Sequence, residues 1–143
     1  MRISVSAAAA FVALVVLAAG PARAEMVKFK AHLSAAAETP PNDSRASGDV
    51  VATLDTATGK LNWNGSYSGL TGPELMSHFH GPGAPGASAP VAVQANGKAS
   101  PFSGSAMLSQ AQVADLMAGK WYFNVHTEQN KGGEIRGQLQ KAM

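Results

Sequence analysis

The sequence predicts an all-β domain with one short helix. Apolar and polar residues alternate with period two in short runs, and Gly, Pro, Asn and Asp interrupt those runs at the spacing of strand connections. The pattern changes to helical period late in the chain, at SQAQVADLMAGK.

The chain has 143 residues, enough for one domain. Its opening, MRISVSAAAAFVALVVLAAGPARA, has a basic start at Arg2, an apolar stretch from about Val5 to Ala19, and Ala22-Arg23-Ala24 as an A-x-A processing site. Residues 1–24 are therefore expected to be a signal peptide and 25–143 the exported domain, in the periplasm or secreted. An uncleaved anchor is the alternative for the same apolar run, and the processing motif argues against it.

The elements follow in order. VKFKAHL alternates as a strand, with Val27, Phe29, Ala31 and Leu33 on one face and Lys28, Lys30 and His32 on the other. ETPPNDSRASG is too rich in Pro and turn residues for regular structure. GDVVATLD and KLNWNGSYSGL form a hairpin about Asp55-Thr56-Ala57-Thr58-Gly59, where Gly59 supplies a positive φ. A strand around Met76 to His80, the loop GPGAPGASAP, and strands at PVAVQ and PFSGSAML come next. The helix opens with Ser109 and Gln112 as a capping box and ends at Gly119. KWYFNVHT and GEIRGQLQ, joined by EQNKGG, close the domain.

Composition narrows the function. Two of the eleven basic residues lie in the leader, leaving nine against nine acidic, so the basic isoelectric point belongs partly to the leader. No phosphate-binding stripe remains, so neither nucleic acid nor, after cleavage, a membrane is an expected partner. Without cysteine the domain has no disulfides, and any metal site must use imidazole, carboxylate or thioether.

Three of the four histidines lie in MSHFHGP and VHT. With Phe79 in the core, His78 and His80 point together to the opposite face, and Met76 shares their register. Trp121, Phe123 and Val125 form the apolar set of the late strand, which puts Tyr122, Asn124 and His126 on the other side. His32 falls on the polar face of the first strand. Residues two apart on a strand have Cα atoms about 6.5 Å apart, so His78 and His80 can reach one ion. The expected ligands are His78, His80 and His126 in a cluster on a sheet's outer face, with His32 or Met76 completing the shell. Unrelated surface side chains are the alternative, and for His32 the better one, while a methionine near a strand start such as Met76 is more often packing material. Three imidazoles without thiolate suit copper, as Cu(II) or with Met76 as Cu(I), and zinc next. Of the carboxylates Glu128 and Glu134, the latter shares a face with Arg136, which points to a structural ion pair.

HFHGP, LSQAQVADLMAGKWYFNVHT and GGEIRGQL, in that order and preceded by FKAHLSAAAETPP, resemble the CHRD domain, named from chordin, over Lys28 to Leu139. The resemblance implies a β-sandwich with Greek-key connections, similar to an immunoglobulin or superoxide dismutase sandwich. It maps the family's H-x-H onto His78 and His80, its N-V-H-T onto Asn124 to Thr127 and its G-E-I-R-G-Q onto Gly133 to Gln138. His32 is outside that pattern, and the GPGAPGASAP loop departs from it, leaving the rim of a site undefined. Chordin is an extracellular growth-factor antagonist, but this chain lacks its other modules.

Three functions compete. The first is an exported metal-binding protein, for copper binding, storage or transfer, whose affinity weakens as pH falls toward 6.5. The second is a metal-independent interaction module for another periplasmic or extracellular protein, with histidines that hydrogen-bond loops. The third is copper-dependent redox chemistry, supported by fold analogy alone. No G-x-S-x-G elbow supports hydrolase chemistry. A second copy of the chain as a source of ligands is left open.

Overall fold

The computed structural model describes residues 23–95 and 97–143, so nearly all of the expected signal peptide lies outside the described residues. Among the described residues, no helix is long and apolar enough to cross a membrane.

The strands are β1 (Met26–Ser34), β2 (Ser47–Asp55), β3 (Lys60–Ser68), β4 (Glu74–His80), β5 (Val91–Gln94), β6 (Phe102–Met107), β7 (Tyr122–Thr127), β8 (Ile135–Gln138) and β9 (Gln140–Lys141). Among the described residues one α-helix, α1 (Gln110–Met117), lies between β6 and β7, and a single 3-10 turn, Ala35–Ala37, follows β1. All pairings are antiparallel, in the order β5-β4-β7-β8-β1-β2-β3-β6, with β9 also on β1. The sheet curls until its far ends face each other: Trp63 of β3 meets Phe79 of β4 edge-on at 5.1 Å, and Phe102 of β6 stacks on Phe123 of β7 at 5.4 Å. The result is a barrel- or sandwich-like all-β domain around one core.

Local chemistry explains the elements. Burial alternates strictly along β1 and β2, with Val27, Phe29, Ala31, Leu33, Val50, Ala52 and Leu54 all buried while Met26 and Val51 fall on the other face. The β2–β3 turn is held by the Asp55 carboxylate, which accepts from Ala57 N and Thr58 N at 2.9 and 3.3 Å, and Gly59 has φ 77° as expected. The capping box of α1 is complete: Ser109 Oγ accepts from Gln112 N, and Gln112 Oε1 from Ser109 N. The last expected strand is divided into β8 and β9 at Leu139, whose N–H turns to Trp121 O.

The expected ion pair of Glu134 with Arg136 does not form. Glu134 precedes β8, is fully buried, and accepts from Ser44 Oγ, Thr71 N, Thr71 Oγ1 and Thr127 Oγ1 at 2.6, 2.9, 2.7 and 2.6 Å. Burial alone would raise its carboxyl pKa, yet the bonds from Ser44, Thr127 and Thr71 hold it below the usual range. These four bonds tie the segments around Ser44 and Thr71 to β7. Glu134→Gln sets an amide N–H₂ against donors and should cost about 1–3 kcal/mol, measured by urea denaturation. A loss below about 0.5 kcal/mol, the range of ordinary surface substitutions, would contradict this role.

Candidate metal centre

Phe79 is fully buried against Trp63, Trp121 and Phe123, and strand alternation then sends His78 and His80 to the opposite face. In the β4–β7 register His78 lies opposite Asn124, His80 opposite Tyr122 and Met76 opposite His126. Continued across β8, this face adds Arg136 beside Asn124 and Gln138 beside Tyr122.

The face is not a surface. His78, His80 and His126 are only 4%, 8% and 7% exposed, which corrects the expectation of a surface cluster. Loops that period-two patterning could not locate lie over the sheet. The 81–90 loop is held by its main chain: Ala89 O accepts from His80 Nδ1 at 2.8 Å and Ala87 O from Arg136 Nη2 at 2.8 Å. Thr39 Oγ1 donates to Gly86 O at 2.9 Å and joins this loop to the 38–46 segment. Lys131 O accepts from His126 Nδ1 at 2.8 Å. The scarcity of side chains in the 81–90 loop lets its carbonyls approach the His80 ring and the Arg136 guanidinium. At its entry, a Cβ on Gly81 would overlap the Trp121 ring, so only glycine fits there.

These bonds fix tautomers. A carbonyl only accepts, so neutral His80 and His126 carry their protons on Nδ1 and present lone pairs at Nε2. His126 Nε2 is 3.1 Å from His78 Nδ1. Two ligands of one tetrahedral ion, at 2.0–2.1 Å each, stand about 3.3 Å apart, so this pair already has ligand spacing. One ring nitrogen from each of the three histidines lies within 4.8 Å of the others. Ligation by all three therefore needs the widest separation to close by about 1.5 Å.

The Tyr122 ring orders the other flank. His80 stacks on it from β4 at 4.8 Å and 4°, and Arg136 Cζ approaches from β8, 3.5 Å from the ring centroid, so the ring is held between them. Glu38 is buried beside Arg136 and Asn124, and burial raises its carboxyl pKa against the Thr39 N–H bond and those two neighbours.

The remaining expected residues are placed elsewhere. His32 lies on β1, where its Nδ1 donates to Asp49 Oδ1 at 3.0 Å and its side chain is 67% exposed. The register puts it beside Gln138, hence three strand spacings, about 14 Å, from His80. It shares the outer face and is too far away to share an ion. Met76 is near the cluster and 47% exposed. Glu128 pairs with Lys131 at 2.9 Å on the surface. Tyr122, Asn124 and Arg136 had a usable signal, since same-face alternation carries from β4 through β7 to β8. Glu38 and the two loop carbonyls had none.

Residues 29–139 match the CHRD domain family. No curated protein and no solved structure matches the chain.

Burial pushes the His78 imidazole pKa down to about 4, aided by His126 and His80 and opposed by Gln94. Burial also lowers that of His80, against the Ala89 carbonyl bond. The fold thus keeps His78 neutral, while the unfolded chain takes up that proton near pH 6.5. Its contribution to stability is complete above that value and is lost as pH falls through the window down to about 4. Urea midpoints of metal-free protein should decline across this window, and less steeply in His78→Gln. Parallel declines would contradict the assignment.

Proposed function

The chain belongs to the CHRD domain family, and within it we propose an exported metal-binding protein that holds one ion, copper by preference and zinc next, on His78, His80 and His126. The observation that supports this reading is the convergence of three buried imidazoles whose nitrogens lie within 4.8 Å. Two of them are oriented by main-chain carbonyls, in the way ligating histidines are usually held from the side remote from the metal. Gln94, opposite His78 in the β4–β5 register, is placed to hold the third. Copper ranks first because the affinity order favours it over zinc for nitrogen donors.

The ion binds between rings of which burial keeps His78 neutral at physiological pH and favours the neutral form of His80. His78 must release its Nδ1 proton from His126 and carry a proton on Nε2 toward Gln94. This shift moves a hydrogen bond and creates no buried charge on the ring. Because the loops cover the cluster, loading requires the 81–90 or 128–133 segment to open, and its rate is set by the hydrogen bonds of Ala89 and Lys131. Slow entry and release suit storage or transfer to a partner. Export rests on the leader of residues 1–24.

A second reading, an interaction module without metal, is favoured by the same bonds of His80 and His126 to loop carbonyls, which also staple the loops. It leaves the buried Nε2 of His80 unexplained, since that atom has no hydrogen-bond partner among the described residues.

Titration of purified protein with Cu(I), Cu(II) and Zn(II) tests the choice. One ion per chain is expected, weakened at least about 100-fold in His126→Gln and unchanged in His32→Gln. Weak binding that is equal in all three proteins, with a protein partner retained by His126→Gln, would favour the second reading.

A further inference from the structure

We propose that Asn124 supplies the fourth donor to the ion, through Oδ1, and that the site therefore selects a divalent copper or zinc ion over Cu(I). This rests on the metal-binding reading and adds a residue and an oxidation state to it.

Asn124 is 3% exposed and lies on β7 directly opposite His78 and two residues from His126, on the face that carries the three imidazoles. Its amide orientation is set from the far side. A Cβ placed on Gly133 would meet both Glu38 Oε1 and Asn124 Nδ2, so the two atoms border the same space. Oε1 has no close hydrogen-bond partner among the described residues, and against the burial that raises the Glu38 carboxyl pKa the Asn124 side chain lowers it by hydrogen bonding. The amide nitrogen is a donor and suits the carboxylate, which turns Oδ1 the other way, toward the histidines. There Oδ1 is buried without a hydrogen-bond partner among the described residues.

The neighbouring imidazole presents the same unmet need. Asn124 stands beside His80, whose Nδ1 proton is committed to Ala89 O. His80 Nε2 is then a lone pair, also buried and also without a partner. Two buried acceptors side by side are not satisfied by each other. A cation bound to the cluster satisfies both and draws on the lone pairs of His126 and His78 as well. A water donating to both atoms is the rival occupant.

Met76 is the other candidate donor, and its setting differs. It lies opposite His126 and is half exposed, at the solvent margin of the cluster. Asn124 is enclosed and already oriented. The choice has a chemical consequence: three imidazoles and an amide oxygen suit Cu(II) or Zn(II), whereas a thioether in place of the oxygen would favour Cu(I).

Co(II), which reports coordination through its visible spectrum, and Zn(II) and Cu(I) are titrated into the wild-type protein, Asn124→Leu, Asn124→Asp and Met76→Leu, with folding checked by circular dichroism. The expected result for Asn124→Leu is a loss of at least about tenfold in Co(II) and Zn(II) affinity, an altered Co(II) spectrum and unchanged Cu(I) affinity. Asn124→Asp keeps an oxygen in place and adds charge, so it should tighten Zn(II) binding, and it decides the matter if the leucine variant fails to fold. Met76→Leu should change neither divalent affinity. Wild-type affinities and spectra in both Asn124 variants, as a water-filled site would give, overturn this assignment while the three-histidine site stands. A wild-type protein that takes up no ion overturns both.

Discussion

Everything at the site depends on one packed ring. Phe79 sits in the core with ring centroids 4.8 Å from Phe123, 5.1 Å from Trp63 and 6.1 Å from Trp121, contacts that join the two ends of the sheet. A strand cannot bury Phe79 without turning both of its neighbours away, so the same contacts that close the core aim His78 and His80. Sliding β4 by one residue would bring two imidazoles into the apolar interior, a cost that fixes the register.

The outer face then meets a second constraint, because it too is buried. Tyr122, Asn124, His126, Glu134 and Arg136 are all under 9% exposed, and each polar group so enclosed needs a partner. Most are supplied by loop main chain and hydroxyls: Ala87, Ala89 and Lys131 carbonyls, and the side chains of Ser44, Thr71 and Thr127. The domain has an apolar core on one side of β4, β7 and β8 and a hydrogen-bonded polar layer on the other. Among the described residues, His80 Nε2 and Asn124 Oδ1 are two of the buried polar atoms left without a partner, as are Glu38 Oε1 and Gln138 Oε1, and beside the three imidazoles those first two are where a ligand has something to add.

Strand positions, the Asp55–Gly59 hairpin, the helix cap and the common side of His78, His80 and His126 were legible because they follow from local periodicity and turn chemistry. What lay out of reach was long-range. Alternation puts His32 on the same face but not on the same part of it, since strand order separates it from His80 by two intervening strands. It also makes Glu134 and Arg136 neighbours, yet donors about 60 and 90 residues away in sequence claim the carboxylate. The path of a Gly- and Pro-rich loop over a sheet leaves no periodic trace. An outer face therefore looked exposed in the sequence and is enclosed in the fold.

The most direct measurement is the ring-nitrogen NMR spectrum of the four histidines, recorded before and after one equivalent of Zn(II). The account predicts Nδ1–H tautomers with unprotonated Nε2 for His80 and His126 in the metal-free protein, that of His126 accepting from His78 Nδ1. On addition of zinc, one nitrogen in each of His78, His80 and His126 should shift while His32 stays unmoved. A proton on Nε2 of His80 or His126 in the metal-free protein, or a zinc response confined to His32, would contradict it.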